Sequence, residues 1–359
     1  MSIERMYQVL GRTLWRAMLV LVVCLAVYVA GARALLSALP MYQQNVADWL
    51  AQQTGLNYQI ANIQGDVEKF QPSIQVTGLH IVLPSGLPIA FESAALTVDP
   101  WASLLARQIR LDTLRLNGLA VDLPVDALSI NGGDGSAARL AAGLLVAFRK
   151  VTIEQTEIWL VGAEGSRERL DLTLDLHRAG SKRQLAVELT GPDSSYLSIS
   201  GSSVGDILQL DRFAGELYGH LNLPNAKWLS TLLGYSFNAN GNFDFWYQSN
   251  SLEPNIEVSL DLSDLIWTHQ DGRISKLDNL AFDGGGNLQP AGWTGRLQSF
   301  AMSAADTGFT LDRFQIESRG DSLQFKTQAM DVGDLAAAVV ASGLLPSKVS
   351  TIFSELRPS

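Results

Sequence analysis

Hydrophobic positions along the chain follow three successive patterns. The first is a run without charge, Ala17 to Ala32, which carries Met18, Leu19, Val20, Leu21, Val22, Val23, Leu25, Val27 and Val29. After Pro40 the spacing turns helical. Tyr42, Val46 and Leu50 fall at i, i+4 and i+8, with Trp49 beside them and Gly55 as a stop. That spacing predicts a short amphipathic helix over Tyr42 to Thr54, packed under a sheet or laid on a membrane face.

Beyond Gly55 the period becomes two. Leu170, Leu172, Leu174 and Leu176 alternate with Asp171, Thr173 and Asp175, and Leu185, Val187 and Leu189 follow. Ile256, Val258, Leu260 and Leu262 alternate with Glu257, Ser259 and Asp261, and Phe243, Phe245 and Tyr247 form an aromatic version. Phe314 with Ile316, then Leu323 with Phe325, continue the series. Each reads as a half-buried strand with one apolar face.

Several strands change phase midway. Ile74 and Val76 give way to Leu79, Ile81 and Leu83 across Thr77 and Gly78. Ile109 and Leu111 give way to Leu114 and Leu116, then, after Asn117 and Gly118, to Leu119, Val121 and Leu123. An alternation keeps its apolar face inward through such a skip only if a residue bulges out, and bulges bend and twist a sheet. A curved groove and a twisted sandwich both fit these strings.

Short helices are expected at Pro100 to Leu105, behind the Asp99 cap, at Ala226 to Leu233, and at Leu335 to Leu345. Asn131 to Ser136 (Asn-Gly-Gly-Asp-Gly-Ser) reads as a loop, with a helical segment Ala137 to Phe148 after it. The predicted fold is mainly β: one N-terminal transmembrane helix, then an elongated, strongly twisted antiparallel β-sheet groove with a few short helices. Residues 1–40 form the tail and anchor, 41–130 an α+β module, and 131–359 the continuing sheet.

The charge-free run spans roughly 24 Å as a helix, a little short of a ~30 Å hydrocarbon core. Its flanks add length. Trp15 and Arg16 precede Leu19, Leu21, Val23, Leu25 and Val27, while Arg33 can snorkel outward past Ala34, Leu35, Leu36 and Leu39. Arg5, Arg12 and Arg16, opposed only by Glu4, make the N-terminal side positive and hold it in the cytoplasm. A cleavable secretory signal is the rival reading, with Ala30, Gly31 and Ala32 as the small-residue site. Either one exports the rest of the chain. Cys24 lies in the run as a small apolar thiol.

Composition narrows the chemistry. In 359 residues, 47% are hydrophobic and only 17% charged, and the net charge of −10 argues against general nucleic-acid binding. Setting aside Glu4, Arg5, Arg12, Arg16 and Arg33 leaves 22 basic and 35 acidic side chains, so any lipid binding must be apolar and local. One cysteine removes intrachain disulfides and cysteine-rich metal sites. His80, His177, His220 and His269 are too scattered for a ligand motif. Gly201, Ser203 and Gly205 match Gly-x-Ser-x-Gly but lack the helix a nucleophile elbow needs, and read as a turn. Gly284, Gly285 and Gly286 lack a following Lys-Ser or Lys-Thr and also read as a turn. No catalytic residues, metal ligands or cofactor are assigned, and the chain is not read as an enzyme.

The ordered features resemble a known family. A basic N-terminus, one apolar helix, an amphipathic helix ending in Thr54 and Gly55, and a strand with Pro72, Ile74, Val76, Gly78 and Leu79 come first. Asp99, Pro100 and Trp101 with Ser103 and Leu104, then Leu114, Leu116, Gly118, Leu119 and Val121, complete the likeness to AsmA-like proteins. The resemblance implies an inner-membrane anchor of a Gram-negative envelope, a periplasmic β-groove related in architecture to bridge-like lipid transfer proteins, and phospholipids as partners. Other envelope proteins at the far end of the groove are a further expectation. Family members are longer, so the resemblance also implies an N-terminal fragment.

Two functions follow. An apolar groove would carry phospholipid between inner and outer membranes and support the outer-membrane barrier. Its candidate lining is Leu172, Leu174, Leu185, Val187, Leu189, Phe243, Phe245, Val258 and Leu260. The alternative is an anchored periplasmic scaffold that binds protein partners and no lipid. An outer-membrane barrel is disfavoured by the apolar helix and the polar outward faces.

Overall fold

The computed structural model describes residues 3–54, 57–68, 70–82, 86–107, 110–124, 148–162, 165–204, 214–228, 230, 236–250, 254–269, 272–289, 292–319, 322–327 and 332–343. The fold is mainly β, with one long N-terminal apolar helix, a 16-stranded sheet and few short helices. Its contacts divide into two units, residues 1–117 and 118–359. The predicted loop at Asn131 to Ser136, and the helix after it up to residue 147, lie outside the described residues.

In the first unit, helix α1 (Ile3–Ser37) runs unbroken through Ala30, Gly31 and Ala32. Its stretch Leu14–Ser37 is 24 residues long and apolar enough to cross a membrane. A 3-10 turn (Leu39–Tyr42) leads into α2 (Gln43–Thr54). The packed side of α2 differs from the expected one: Ala47 is buried, Tyr42 is 57% exposed, and the Gln43 amide donates to the Ile60 carbonyl of the sheet. The same side-chain amide also donates to the Ala61 carbonyl at 3.3 Å, and Gln43 and Ala47, at i and i+4, share the side of the helix that meets the sheet. The side chains of Trp49 and Leu50 lie outside the described residues.

Strands β1 (Asn57–Glu68), β2 (Gln71–Val82) and β3 (Pro88–Val98) then form an antiparallel meander. After β3 comes α3 (Pro100–Ala106), with the predicted cap in place. Asp99 accepts from the Ala102 amide at 2.9 Å, Pro100 opens the helix, and Arg107 closes it in the left-handed region at φ +53. Strand β4 (Leu111–Pro124) begins in the first unit and ends in the second.

The phase changes are real, but their form differs from an isolated bulge. Ile60 faces Leu79 and Leu79 faces Phe91; three residues on, Ile63 faces Val76 and Val76 faces Ala94. All three strands therefore skip together, and the register is the same on both sides of the skip. Gly78, at φ +62, supplies the left-handed residue at this shared crease. Gly118, at φ +65, marks the skip in β4.

The second unit holds β5 (Lys150–Glu154), β6 (Glu157–Val161), β7 (Arg167–Ala179), β8 (Lys182–Thr190), β9 (Tyr196–Val204) and β10 (Ala214–Leu223). These are followed by β11 (Phe237–Asn250), β12 (Asn255–Thr268), β13 (Ile274–Gln289), β14 (Gly292–Ala304), β15 (Thr307–Arg319) and β16 (Ser322–Lys326). From β7 onward each strand pairs antiparallel with the next. The antiparallel expectation fails at β4, where β6 lies parallel to it. Of the expected helix at Ala226 to Leu233, Ala226–Trp228 is a 3-10 turn and Ser230 is helical, while residues 229 and 231–233 lie outside the described residues; the last helix, α4 (Val332–Ala341), starts three residues earlier than predicted. Gly343, at φ +68, ends it.

Gly201 and Ser203 lie inside β9, and Gly284, Gly285 and Gly286 inside β13, rather than in turns, while Gly205 lies outside the described residues. In β13 each glycine is pressed by a neighbouring strand. A Cβ at Gly285 would stand 2.4 Å from the Ile256 carbonyl oxygen, and one at Gly284 2.7 Å from that of Arg296. A run of glycine here serves close packing within a sheet.

Candidate functional site

Residues directly opposite in an antiparallel pair point to the same face, so the strand registers decide which side chains share a surface. From β7 to β15 one row reads Leu174, Val187, Ile199, Gly219, Phe245, Val258, Gly284, Leu297 and Phe314. A second reads Leu172, Leu189, Leu197, Leu221, Phe243, Leu260, Phe282, Phe300 and Leu311. A third reads Leu176, Leu185, Gly201, Leu217, Tyr247, Ile256, Gly286, Gly295 and Ile316. The three rows hold only apolar residues, glycine and one tyrosine.

All nine lining candidates from the sequence fall in these rows, on one face. Each of the nine is half-buried, whereas Leu170 and Leu176, which flank Leu172 and Leu174 on β7, are buried. A second layer of protein over the middle of the face would bury these side chains fully, so among the described residues none covers the middle. Burial is concentrated toward its margins. The Trp228 indole donates to Ser195 Oγ at 2.8 Å in a buried contact, and α4 packs on β14 and β15, where Met302, Ala304 and Phe309 are buried.

Glycine shapes the face. The Phe245 ring fills the space a Gly219 side chain would need, since a Cβ there would meet Phe245 Cε1 at 2.0 Å. Gly284, Gly286 and Gly295 leave a hollow of about 790 Å³ among Tyr247, Ile256, Val258, Phe282, Trp293, Leu297, Phe314 and Ile316. That volume lies within the range of small-molecule sites, and its wall is predominantly apolar. Sequence reasoning missed these glycines as lining. A period of two that counts glycine as apolar, as in Leu217-Gly219-Leu221 or Leu280-Phe282-Gly284-Gly286, recovers them. It also recovers Ile199, Leu221 and Phe282.

The opposite face of the same strands is polar and ion-paired. Arg169 reaches Asp171 at 2.9 Å and Glu157 at 3.2 Å, and Lys150 reaches Asp175 at 3.3 Å. Arg296 pairs with Glu257 at 2.6 Å across Gly285, which faces both and has no side chain to separate them. His220 Nδ1 lies 2.7 Å from Asp244 Oδ1, and the Tyr218 hydroxyl donates to the same oxygen at 2.8 Å. Burial works to raise the Asp244 carboxyl, but the hydrogen bonds from His220 and Tyr218 prevail and hold it below the usual carboxylate range. The hydrogen bond to Asp244 raises the Tyr218 hydroxyl.

The other histidines lie apart from this pair. His269 Nε2 is 2.7 Å from Ser275 Oγ, and among the described residues no three His, Cys, Asp or Glu side chains are placed to hold a metal ion.

The N-terminal candidates share the α1 surface. Trp15 is 67% exposed, Arg16, Leu19, Leu21, Val23, Val27 and Arg33 are exposed, and Leu25 is half-exposed. Cys24 is exposed on the same helix rather than enclosed by protein. An apolar helix bare over most of its circumference is stable in lipid and costly in water. Its end is tied to the first unit: Leu36 is buried, with its side chain against Gly65, and the Tyr28 hydroxyl donates to the Phe70 carbonyl at 3.3 Å.

A family model described as YhdP protein matches residues 1–359. No curated protein matches the chain.

Proposed function

The chain belongs to the YhdP family, and from that premise we propose that it is an inner-membrane-anchored periplasmic lipid-transfer protein whose apolar sheet face carries phospholipid acyl chains toward the outer membrane. The observation that carries this reading is the three-row face without charge from β7 to β15, half-open along its middle. An acyl chain in water loses roughly 0.8 kcal/mol per CH₂ relative to an apolar surrounding. A lipid crossing an aqueous compartment therefore needs an apolar lining without interruption. Headgroups would ride at the open side of the hollow, in water. The polar, ion-paired reverse face supports a sheet whose other side is solvated.

The continuous helix through Ala30, Gly31 and Ala32 supports an anchor over a cleaved leader, as does the tie from Tyr28 to Phe70. In this reading α1 crosses once, with the short N-terminus cytoplasmic and the bulk periplasmic. Tags at both ends of the chain should appear on one membrane-bound species. Loss of the N-terminal tag would return the helix to a signal.

A photo-crosslinking residue at Phe245 or Val258, activated in cells, should give phospholipid adducts by mass analysis. Protein adducts alone would sink the conduit and favour an envelope scaffold.

A further inference from the structure

We propose that the end of the first unit's sheet that carries Phe70 and α3 is itself a membrane-docking surface, seated in the outer leaflet of the bilayer that α1 crosses. The proposal rests on the anchor reading and adds a second contact to it.

The register fixes what lies at this end. Glu68 faces Gln71 across the β1–β2 turn, and Ser73 faces Thr97 near the end of β3, so Phe70 and the entry to α3 belong to the same end of the sheet. The Asp99 amide donates to the Arg110 carbonyl, which closes α3 between β3 and β4. The side chains left outward there are large and apolar. Phe70 is 54% exposed, and Trp101, Leu104 and Leu105, spaced i, i+3 and i+4, are 67%, 68% and 85% exposed. Such spacing gives a short helix one apolar side, as interfacial helices have.

The anchor supplies the depth. Tyr28 donates to the Phe70 carbonyl, so the turn stands level with Tyr28 along α1. From Leu14 to Tyr28 the helix rises only about 21 Å, less than the ~30 Å hydrocarbon core. About twenty residues are needed, which carries the span from Leu14 to near Arg33. Tyr28 then lies roughly 8 Å inside the outer boundary. A turn bonded to Tyr28 must enter the outer leaflet with it, and α3 at the same end reaches the headgroup layer. Arg107 and Arg110 follow α3 and can meet lipid phosphates, while Asp66 and Glu68 stand beside the turn. The charges are mixed, so the contact is apolar and needs no anionic lipid.

The test uses the full chain with Cys24→Ser in phosphatidylcholine proteoliposomes. Single cysteines replace Leu21, Phe70, Leu105 or Thr310 and carry an environment-sensitive fluorophore, quenched by lipids with a nitroxide near the headgroup or by aqueous iodide. Lipid quenching is expected at Phe70→Cys and Leu105→Cys, severalfold above that at Thr310→Cys on the second unit. Quenching at Leu21→Cys with none at Phe70→Cys and Leu105→Cys would overturn the docking surface and leave the anchor standing. An unquenched Leu21→Cys would overturn the anchor, and docking with it. Shielding of the Leu105→Cys label from both quenchers would mark a protein contact and overturn the lipid assignment.

Discussion

Gly219 and Phe245 face each other across β10 and β11, and the ring occupies the place of the missing side chain. Gly219→Ala must push that ring off its neighbour, an overpacking that costs about 1–3 kcal/mol. In a Phe245→Ala background the same substitution should cost little, and thermal unfolding of the four species in detergent measures the coupling. Equal costs in both backgrounds would mean that the ring does not hold the site. On the reverse face Asp244 gives a pH-dependent counterpart. Its folded value is lowered, so its contribution is present above the unfolded value near 3.9 and is lost as pH falls through the folded one. Between pH 5 and pH 2 the wild type should lose more stability than Asp244→Asn, and parallel pH profiles would refute the linkage. Neither pair was legible in the sequence. Gly219 and Phe245, like His220 and Asp244, are separated by a stretch of chain whose length does not announce which residues will face each other.

At the scale of elements, much was legible because one strand's alternation depends only on that strand. Leu170 to Leu176, Phe243 to Tyr247 and Ile256 to Leu262 read as strands and are strands, and the Asp99-Pro100 cap starts its helix as expected. The phase skips were visible too, but not their alignment: a skip read in β2 does not reveal that β1 and β3 skip at facing residues. Glycine was misread for a related reason. Gly284 to Gly286 and Gly201 signal turns to a reader of one segment, whereas neighbouring strands supply the crowding that demands them. At the crease, Gly78 adopts φ +62 and a Cβ there would stand 2.8 Å from the Ala61 Cβ, while Gly86, at φ +83, has nothing within 4 Å. Gly86→Ala should therefore cost only the left-handed penalty of about 1–2 kcal/mol. Gly78→Ala should cost more, because the Ala61 contact adds to it. A smaller cost at Gly78, measured by denaturant unfolding, would show that the crease relaxes freely.

For the whole molecule the decisive property is continuity, since an apolar face serves as a path only if its rows are not interrupted. Row by row, no position from β7 to β15 carries a charge, so one introduced charge is a barrier with two sides. Phe245 sits near the middle of its row, with Leu185 of the adjacent row on the β8 side and Leu297 of its own row on the β14 side. Photo-crosslinking residues at Leu185 and Leu297 should both give lipid adducts in the parent chain. Phe245→Arg places a guanidinium that acyl chains must pass, and a charge in an apolar surrounding costs several kcal/mol even after relaxation. Adducts should then fall severalfold on one side only, the side away from lipid entry. Gln248→Arg, exposed on the opposite face of the same strand, should leave both yields intact. Loss at Leu297 with retention at Leu185 fixes travel from β7 toward β15, and the reverse loss fixes the reverse travel. Unchanged yields at both positions would break the continuity argument, because lipids would then be reaching the two sites independently.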